Sequence, residues 1–420
     1  MNETNTALIT NDAVVLGILM AILAFIFYTS GSKISFWNKF YRIIPSILLC
    51  YFIPALFNTF GIISGEASGL YTVASRYFLP ASLVLLTMSV DIPSLRKLGG
   101  KSLIMFFAGT LGVMLGGPLV LALVGSISPD TLMYGDEEVW RGLSTIGGSW
   151  IGGGANQAAM LEVFGASKPL FGQMIAVDVL VANIWMGILL YGSQRREKIN
   201  RWLNADNSAI KELEQKMETL ELNSIQQKRG TREWMILGGI AFGITGFAHF
   251  FADIIAPWFA ANVPGSEKYS LTSSFFWLVV IATTLGVILS FTRVRKLEAI
   301  GASDMGSVFL YFLVATIGMN MDLKAIFNNP ILFLIGGLWI TFHIIIMLVV
   351  AKIIRAPFFF VAVGSQANIG GAASAPIVAA AFNKYLAPVG VLLAVLGYAV
   401  GTYGAYLCGL AMQWVSDMFK

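Results

Sequence analysis

Two glycine-rich runs carry most of the polar chemistry in this chain, and both lie inside apolar blocks. The first is Gly147-Gly148-Ser149-Trp150-Ile151-Gly152-Gly153-Gly154-Ala155-Asn156-Gln157; the second is Gly364-Ser365-Gln366-Ala367-Asn368-Ile369-Gly370-Gly371-Ala372-Ala373-Ser374. Glycine in a helix interior costs about 1 kcal/mol relative to alanine, so consecutive glycines flanked by Asn, Gln and Ser are expected to unwind the helix locally. Unwinding frees N–H groups at the start of the next half-helix, near Ala155 and Ala372. That positive dipole end attracts anions, and freed carbonyls can ligate sodium. The expected substrate contacts are therefore Ser149, Gly153, Gly154, Asn156, Gln157, Ser365, Gln366, Asn368, Gly370, Gly371 and Ser374. The competing explanation is close helix packing through small residues, which has no use for the amide side chains.

Asp178 falls near the middle of another apolar block, with Asn183 five residues on. A carboxylate at membrane depth is expensive and functional by default, so Asp178 is the expected coupling residue for sodium or a proton, aided by Asn183 and Thr402. Its counterpart in the second half is Gly397, so the halves are not chemically equivalent. His343 and His249 are expected as packed hydrogen-bonding residues, and Asp91 and Asp322 as helix caps or turn formers. Arg76 is expected to pair with Glu66 or to snorkel. No Walker A sequence and no H-E-x-x-H occur, and the serines lack an adjacent base. An enzyme is therefore not expected, nor is a resident cofactor or metal.

These residues need a membrane to explain their surroundings. Of 420 residues, 57% are hydrophobic and only 12% charged, against about 25% charged in a soluble domain. Apolar blocks of roughly 20 residues, the length that spans the hydrocarbon, lie at about 13–30, 43–63, 73–92, 102–126, 142–163 and 169–192. A second set lies at about 234–256, 272–292, 304–320, 330–351, 357–381 and 386–416. Cys50 and Cys408 sit inside such blocks and are expected as packing residues. The first twelve residues hold Glu3 and Asp12 but no Lys or Arg, so the first block is expected to be kept as a span. Between the sets, 193–233 is polar; Ile210, Leu213, Met217 and Leu220 recur at helical spacing there, an amphipathic linker.

The two sets resemble each other. Met88-Ser-Val-Asp91 matches Met319-Asn-Met-Asp322, Ile151-Gly152-Gly153 matches Ile369-Gly370-Gly371, and Pro169 matches Pro388, at offsets of 231, 218 and 219 residues. Basic residues gather at 33–42, 96–101, the linker, 293–296 and 352–355, while 126–141 is acidic. By the positive-inside bias the basic loops are cytoplasmic and 126–141 is external. One of the two blocks between 126–141 and the linker then cannot cross fully, and the glycine-rich one is the natural exception. The expected fold class is an all-α integral membrane protein of two inverted repeats, 1–192 and 234–420, joined by a cytoplasmic linker, 193–233. Each repeat has about five transmembrane helices and a glycine-rich re-entrant or broken helix. Twelve full crossings is the alternative.

Both glycine motifs, with Leu396-Gly-Tyr398-Ala-Val-Gly401-Thr402-Tyr403, resemble the bacterial membrane family called domain of unknown function 819, over nearly the whole chain. More distantly, the paired interruptions are similar to the sodium/glutamate symporters and the bile-acid sodium symporter fold. That likeness implies alternating access of a core against a scaffold. The expected function is sodium- or proton-coupled symport of a small organic anion (an amino acid, a carboxylate or a short acidic peptide) in the bacterial inner membrane. A cation/proton antiporter carried by Asp178 is the alternative. The expected partners are the substrate and the bilayer, with no nucleic acid, and a homodimer is left open.

Overall fold

The computed structural model describes residues 7–210, 212–214, 230–321 and 329–420. Helices dominate because backbone groups in lipid must be satisfied within their own segment. The first set is α1 (Asp12–Ser30), α2 (Ser35–Ile43), α3 (Ser46–Thr59), α4 (Leu70–Met88), α5 (Gly100–Ile127), α6 (Val139–Phe164) and α7 (Lys168–Gln194). The second is α8 (Thr231–Asn262), α9 (Ser274–Ser290), α10 (Ala302–Gly318), α11 (Ile331–Ile353), α12 (Phe358–Ile369), α13 (Gly371–Phe382) and α14 (Ala387–Asp417). Asn11, Ser167 and Ser273 cap α1, α7 and α9 by accepting early backbone N–H groups. Among the described residues seven helices are long and apolar enough to cross a membrane, or up to nine if each of two bent pairs is one span. The chain is an all-α, multi-span membrane protein.

Packing divides the helices into two groups. Helices α5, α6, α7, α11, α12, α13 and α14 pack chiefly on one another, and so do α1, α3, α4, α8, α9 and α10. Within the second group α8 lies against α9 and α4, and α1 lies reciprocally against α3 and α10. In the first group α5 packs on α11, and α6 on α14. The α6–α14 crossing is tight: a Cβ added to Gly401 would collide with the Cα of Gly152 and sit 2.6 Å from Asn156 Nδ2. Gly401→Ala is therefore expected to lower the melting temperature or the yield of monodisperse protein, since overpacking costs about 1–3 kcal/mol. An unchanged melting curve would show that the crossing can open.

Both glycine-rich elements fold back on themselves. A straight helix from Trp140 to Phe164 would separate them by roughly 36 Å, yet their rings are 5.3 Å apart and Arg141 donates to Phe164 O at 2.7 Å. In the second element the rings of Phe358 and Phe382 are 6.0 Å apart. The turn in α6 is Gly153, at φ 72°, ψ −174°; the turn between α12 and α13 includes Gly371, at φ 58°.

The two hairpins open toward opposite ends of the molecule. The ends of the first lie with the acidic loop: Lys420 pairs with Glu138, Ser167 N–H donates to Glu137, and Lys168 donates to Asn320. The ends of the second lie with the linker. Arg196 donates to Phe382 O at 2.9 Å, and Asn200 accepts the Phe358 N–H at 2.8 Å. Lys101, Asp206 and the Arg355 carbonyl meet at that same end. There the Ser208 N–H and the Lys101 ammonium hold the Asp206 carboxyl well below the usual carboxylate range. Leu203 and Leu213 of the linker are buried against the protein, whereas Met217 and Leu220 lie outside the described residues.

Candidate functional site

Asp178, on α7, reaches across the break in α6. Ser149 Oγ donates to Asp178 Oδ2 at 2.6 Å and Trp150 Nε1 to Oδ1 at 2.7 Å, both from the half-helix before Gly153. Gln157 Nε2, from the half-helix after it, donates to Oδ2 at 3.1 Å. The carboxylate is only 7% exposed, so these three donors replace water and fix both arms of the hairpin to one anchor. The Trp150 ring in turn rests on Trp339, 5.2 Å away, whose indole N–H donates to Val113 O. No such acid is needed at the second break. There Gln366 Nε2 donates directly to Ser374 Oγ at 2.8 Å across the turn. A Cβ on Gly370 would collide with both side chains, which explains a glycine at that position.

The two hairpin tips line one cavity of about 380 Å³. Of the residues selected from sequence, Ser149, Gly153, Gly154, Gln157, Gln366, Gly370, Ser374, Asp178 and Asn183 all border it. Asn183 turns its amide back to Val179 O at 2.7 Å. The others sit behind the wall. Asn156 donates to Gly152 O and Tyr398 O and accepts from Thr402 Oγ1 at 2.6 Å. Thr402 is thereby committed to Asn156 and to Thr283. Asn368 donates to Phe106 O and Gly364 O and accepts from Thr110. Ser365 is held between the Trp185 indole N–H and His343 Nε2, while His343 Nδ1 lies 3.1 Å from Gly109 O. Gly371 does not border the cavity; its role is the turn.

Further lining comes from residues that sequence reasoning passed over: Tyr41, Ser46, Tyr51 and Tyr311, on α2, α3 and α10. The one available signal was a tyrosine hydroxyl inside an apolar block, which needs a partner at membrane depth. At one end of the molecule Arg76 pairs with Glu162 at 3.0 Å rather than with Glu66, and Glu162 also accepts from Tyr71. Arg76 stands in a π-helical turn of α4, Ala74–Phe78, and its carbonyl meets His249 Nε2 at 2.8 Å. Asp91 caps the short helix Ile92–Lys97 and lies 3.7 Å from Arg295, whereas Asp322 lies outside the described residues.

The chain is 24% identical over 381 residues to an uncharacterized membrane protein, YjcL, of Bacillus subtilis (strain 168); the match covers 86% of this chain and 87% of that one. A family model described as a protein of unknown function (DUF819) matches residues 17–415, and the chain belongs to that family.

Proposed function

We propose that this protein is a secondary active transporter, a sodium- or proton-coupled symporter of a small organic anion (an amino acid, carboxylate or short acidic peptide), working by alternating access. The observation that carries the proposal is the meeting of two glycine-broken hairpins, opening toward opposite ends, at one cavity with a buried carboxylate. Discontinuous helices at a shared cavity are where secondary transporters hold substrate and ion. In this scheme the sets are inverted repeats, the hairpins are re-entrant, and α5–α7 with α11–α14 form the core that moves against the remaining helices. The half-helix starts after Gly153 and Gly370 present N–H groups to the substrate's carboxylate, and Asp178 serves the coupling cation. In this reading the linker faces the cytoplasm, which the positive-inside bias of the basic loops supports, and the protein lies in the bacterial inner membrane. The substrate and the bilayer are its partners, with a homodimer compatible; no enzyme activity, nucleic acid or resident cofactor is part of the proposal.

Uptake into proteoliposomes under an imposed sodium or proton gradient tests this directly, because a symporter must accumulate substrate only when the gradient is present. A second possibility rests on Asp178 as the one carboxylate among the described residues that border the cavity: a cation/proton antiporter would exchange ions with no organic substrate at all. Topology gives an independent check. With Cys50 and Cys408 replaced, a cysteine at the exposed Asn207 is expected to stay unlabelled by an impermeant reagent in intact cells. Rapid labelling there would put the linker outside and reverse the orientation.

A further inference from the structure

We propose that the substrate carries a protonated amine beside its carboxylate, and that Gln366 Oε1 and Tyr51 Oη are the groups that receive it. The inference rests on the transporter proposal and narrows its substrate class. Two observations point to it.

The first is charge. Among the described residues that border the cavity there is no Lys, Arg or His, and Asp178 is the one carboxylate. A plain carboxylate would enter a confined space beside Asp178, where among the described lining residues no side-chain cation adds to the charge of the coupling ion. An ammonium group on the same molecule reverses that sign locally. Asp178 need not touch it: three protein donors already occupy its oxygens, leaving about one of four acceptor positions open.

The second is unmet hydrogen bonding. Gln366 is 1% exposed and Tyr51 2%, and both border the cavity. Among the described residues neither Gln366 Oε1 nor Tyr51 Oη has a hydrogen-bond partner. A buried polar atom left unpaired costs about 1–3 kcal/mol, so two of them in residues that border one cavity are the natural groups to turn toward a ligand. Gln366 has spent its Nε2 on Ser374, and its free end is an acceptor. An acceptor wants a donor, and an ammonium offers three. The carboxylate of the same ligand has its own place: Gly154 and Ala373, in the first turns of the two second half-helices, border the same cavity. A volume of about 380 Å³ falls within the range of small-molecule sites.

The test uses the purified full-length protein in nanodiscs and isothermal titration of matched pairs: alanine with propionate, glutamate with glutarate, leucine with 4-methylpentanoate, each with and without sodium. The expected result is that the amine-bearing member of at least one pair binds ten-fold or more tighter than its deaminated partner. Tyr51→Phe and Gln366→Leu should each reduce that preference to about three-fold or less, while Gln366→Glu, which keeps an oxygen at the cavity, should preserve it. Deaminated acids binding as tightly as their amines would overturn the inference and leave the symporter proposal standing, as would variants that weaken both members of a pair equally. If no member of any pair binds and proteoliposomes take up none of them, the organic-anion proposal itself fails, and the inference with it.

Discussion

Gly153→Ala is expected to abolish substrate uptake, while Gly154→Ala leaves most of it. The two positions are adjacent and both border the cavity, but their backbones differ. Gly153 sits at φ 72°, ψ −174°, a region in which residues with a Cβ are essentially not found, and occupying it costs about 1–3 kcal/mol. That strain falls on the bond that reverses the chain between Trp140 and Phe164. It opposes the placement of Ser149 and Trp150 on one side of Asp178 and Gln157 on the other. Its methyl would also lie 3.4 Å from the Tyr398 ring. At Gly154 no such strain arises, and an added Cβ meets Ile47 and Leu310 at ordinary distances of 3.6 and 3.7 Å. Gly371→Ala should fall between them: its φ of 58° is unfavourable, but nothing lies within 4 Å of the added Cβ. Uptake into proteoliposomes, normalised to protein passing as a single peak on size exclusion, ranks the three. Equal activity of Gly153→Ala and Gly154→Ala would mean that the turn is not needed in the working protein.

Asp178→Asn is expected to cost ten-fold or more in uptake and to remove the sodium or pH dependence of whatever uptake survives. The carboxylate accepts from three buried donors, and hydrogen bonds to a charged group contribute about 1.5–3 kcal/mol each. An asparagine keeps one oxygen but turns an NH2 toward at least one of those donors, so the arms of the first hairpin lose part of their shared anchor. It also carries no charge with which to attract a cation. The two consequences separate experimentally. Loss of the anchor alone would weaken substrate binding by the same factor at every sodium concentration and pH. Loss of coupling makes binding independent of the cation. In the wild-type protein, substrate must tighten the cation by the same factor that the cation tightens substrate, and the variant should show neither effect. Full gradient-driven accumulation by Asp178→Asn would reduce Asp178 to a structural residue.

Much of this was legible in the sequence because of what a membrane forbids. Apolar blocks of span length, so few charges and two runs of glycine with amide side chains leave little besides broken helices around a polar centre. Asp178 announced itself for the same reason: at that depth a carboxylate must have partners. The family resemblance also rested on residues visible in the chain, both glycine motifs and the run Leu396–Tyr403.

What stayed hidden was which polar groups face the cavity. Asn156 and Gln157 are neighbours in one motif, yet Gln157 borders the cavity and Asn156 is spent on Gly152, Tyr398 and Thr402. Ser365 and Gln366 divide in the same way, Ser365 going to Trp185 and His343. The identity of Tyr51, and the pairing of Arg76 with Glu162, were equally out of reach. In a soluble helix the polar face marks the solvent side, but here lipid and protein interior are equally apolar, and periodicity carries no sign of direction. A polar side chain in such a helix reveals only that it needs a partner. The partner stands up to some 260 residues away, as Phe106 does for Asn368, and only the packing of distant helices selects it. The sequence by itself determined the class of molecule, the two breaks and the buried acid, since each follows from the local cost of glycine, charge and unpaired backbone in lipid. The tertiary structure decided which of those groups close on one another and which are left open to a ligand.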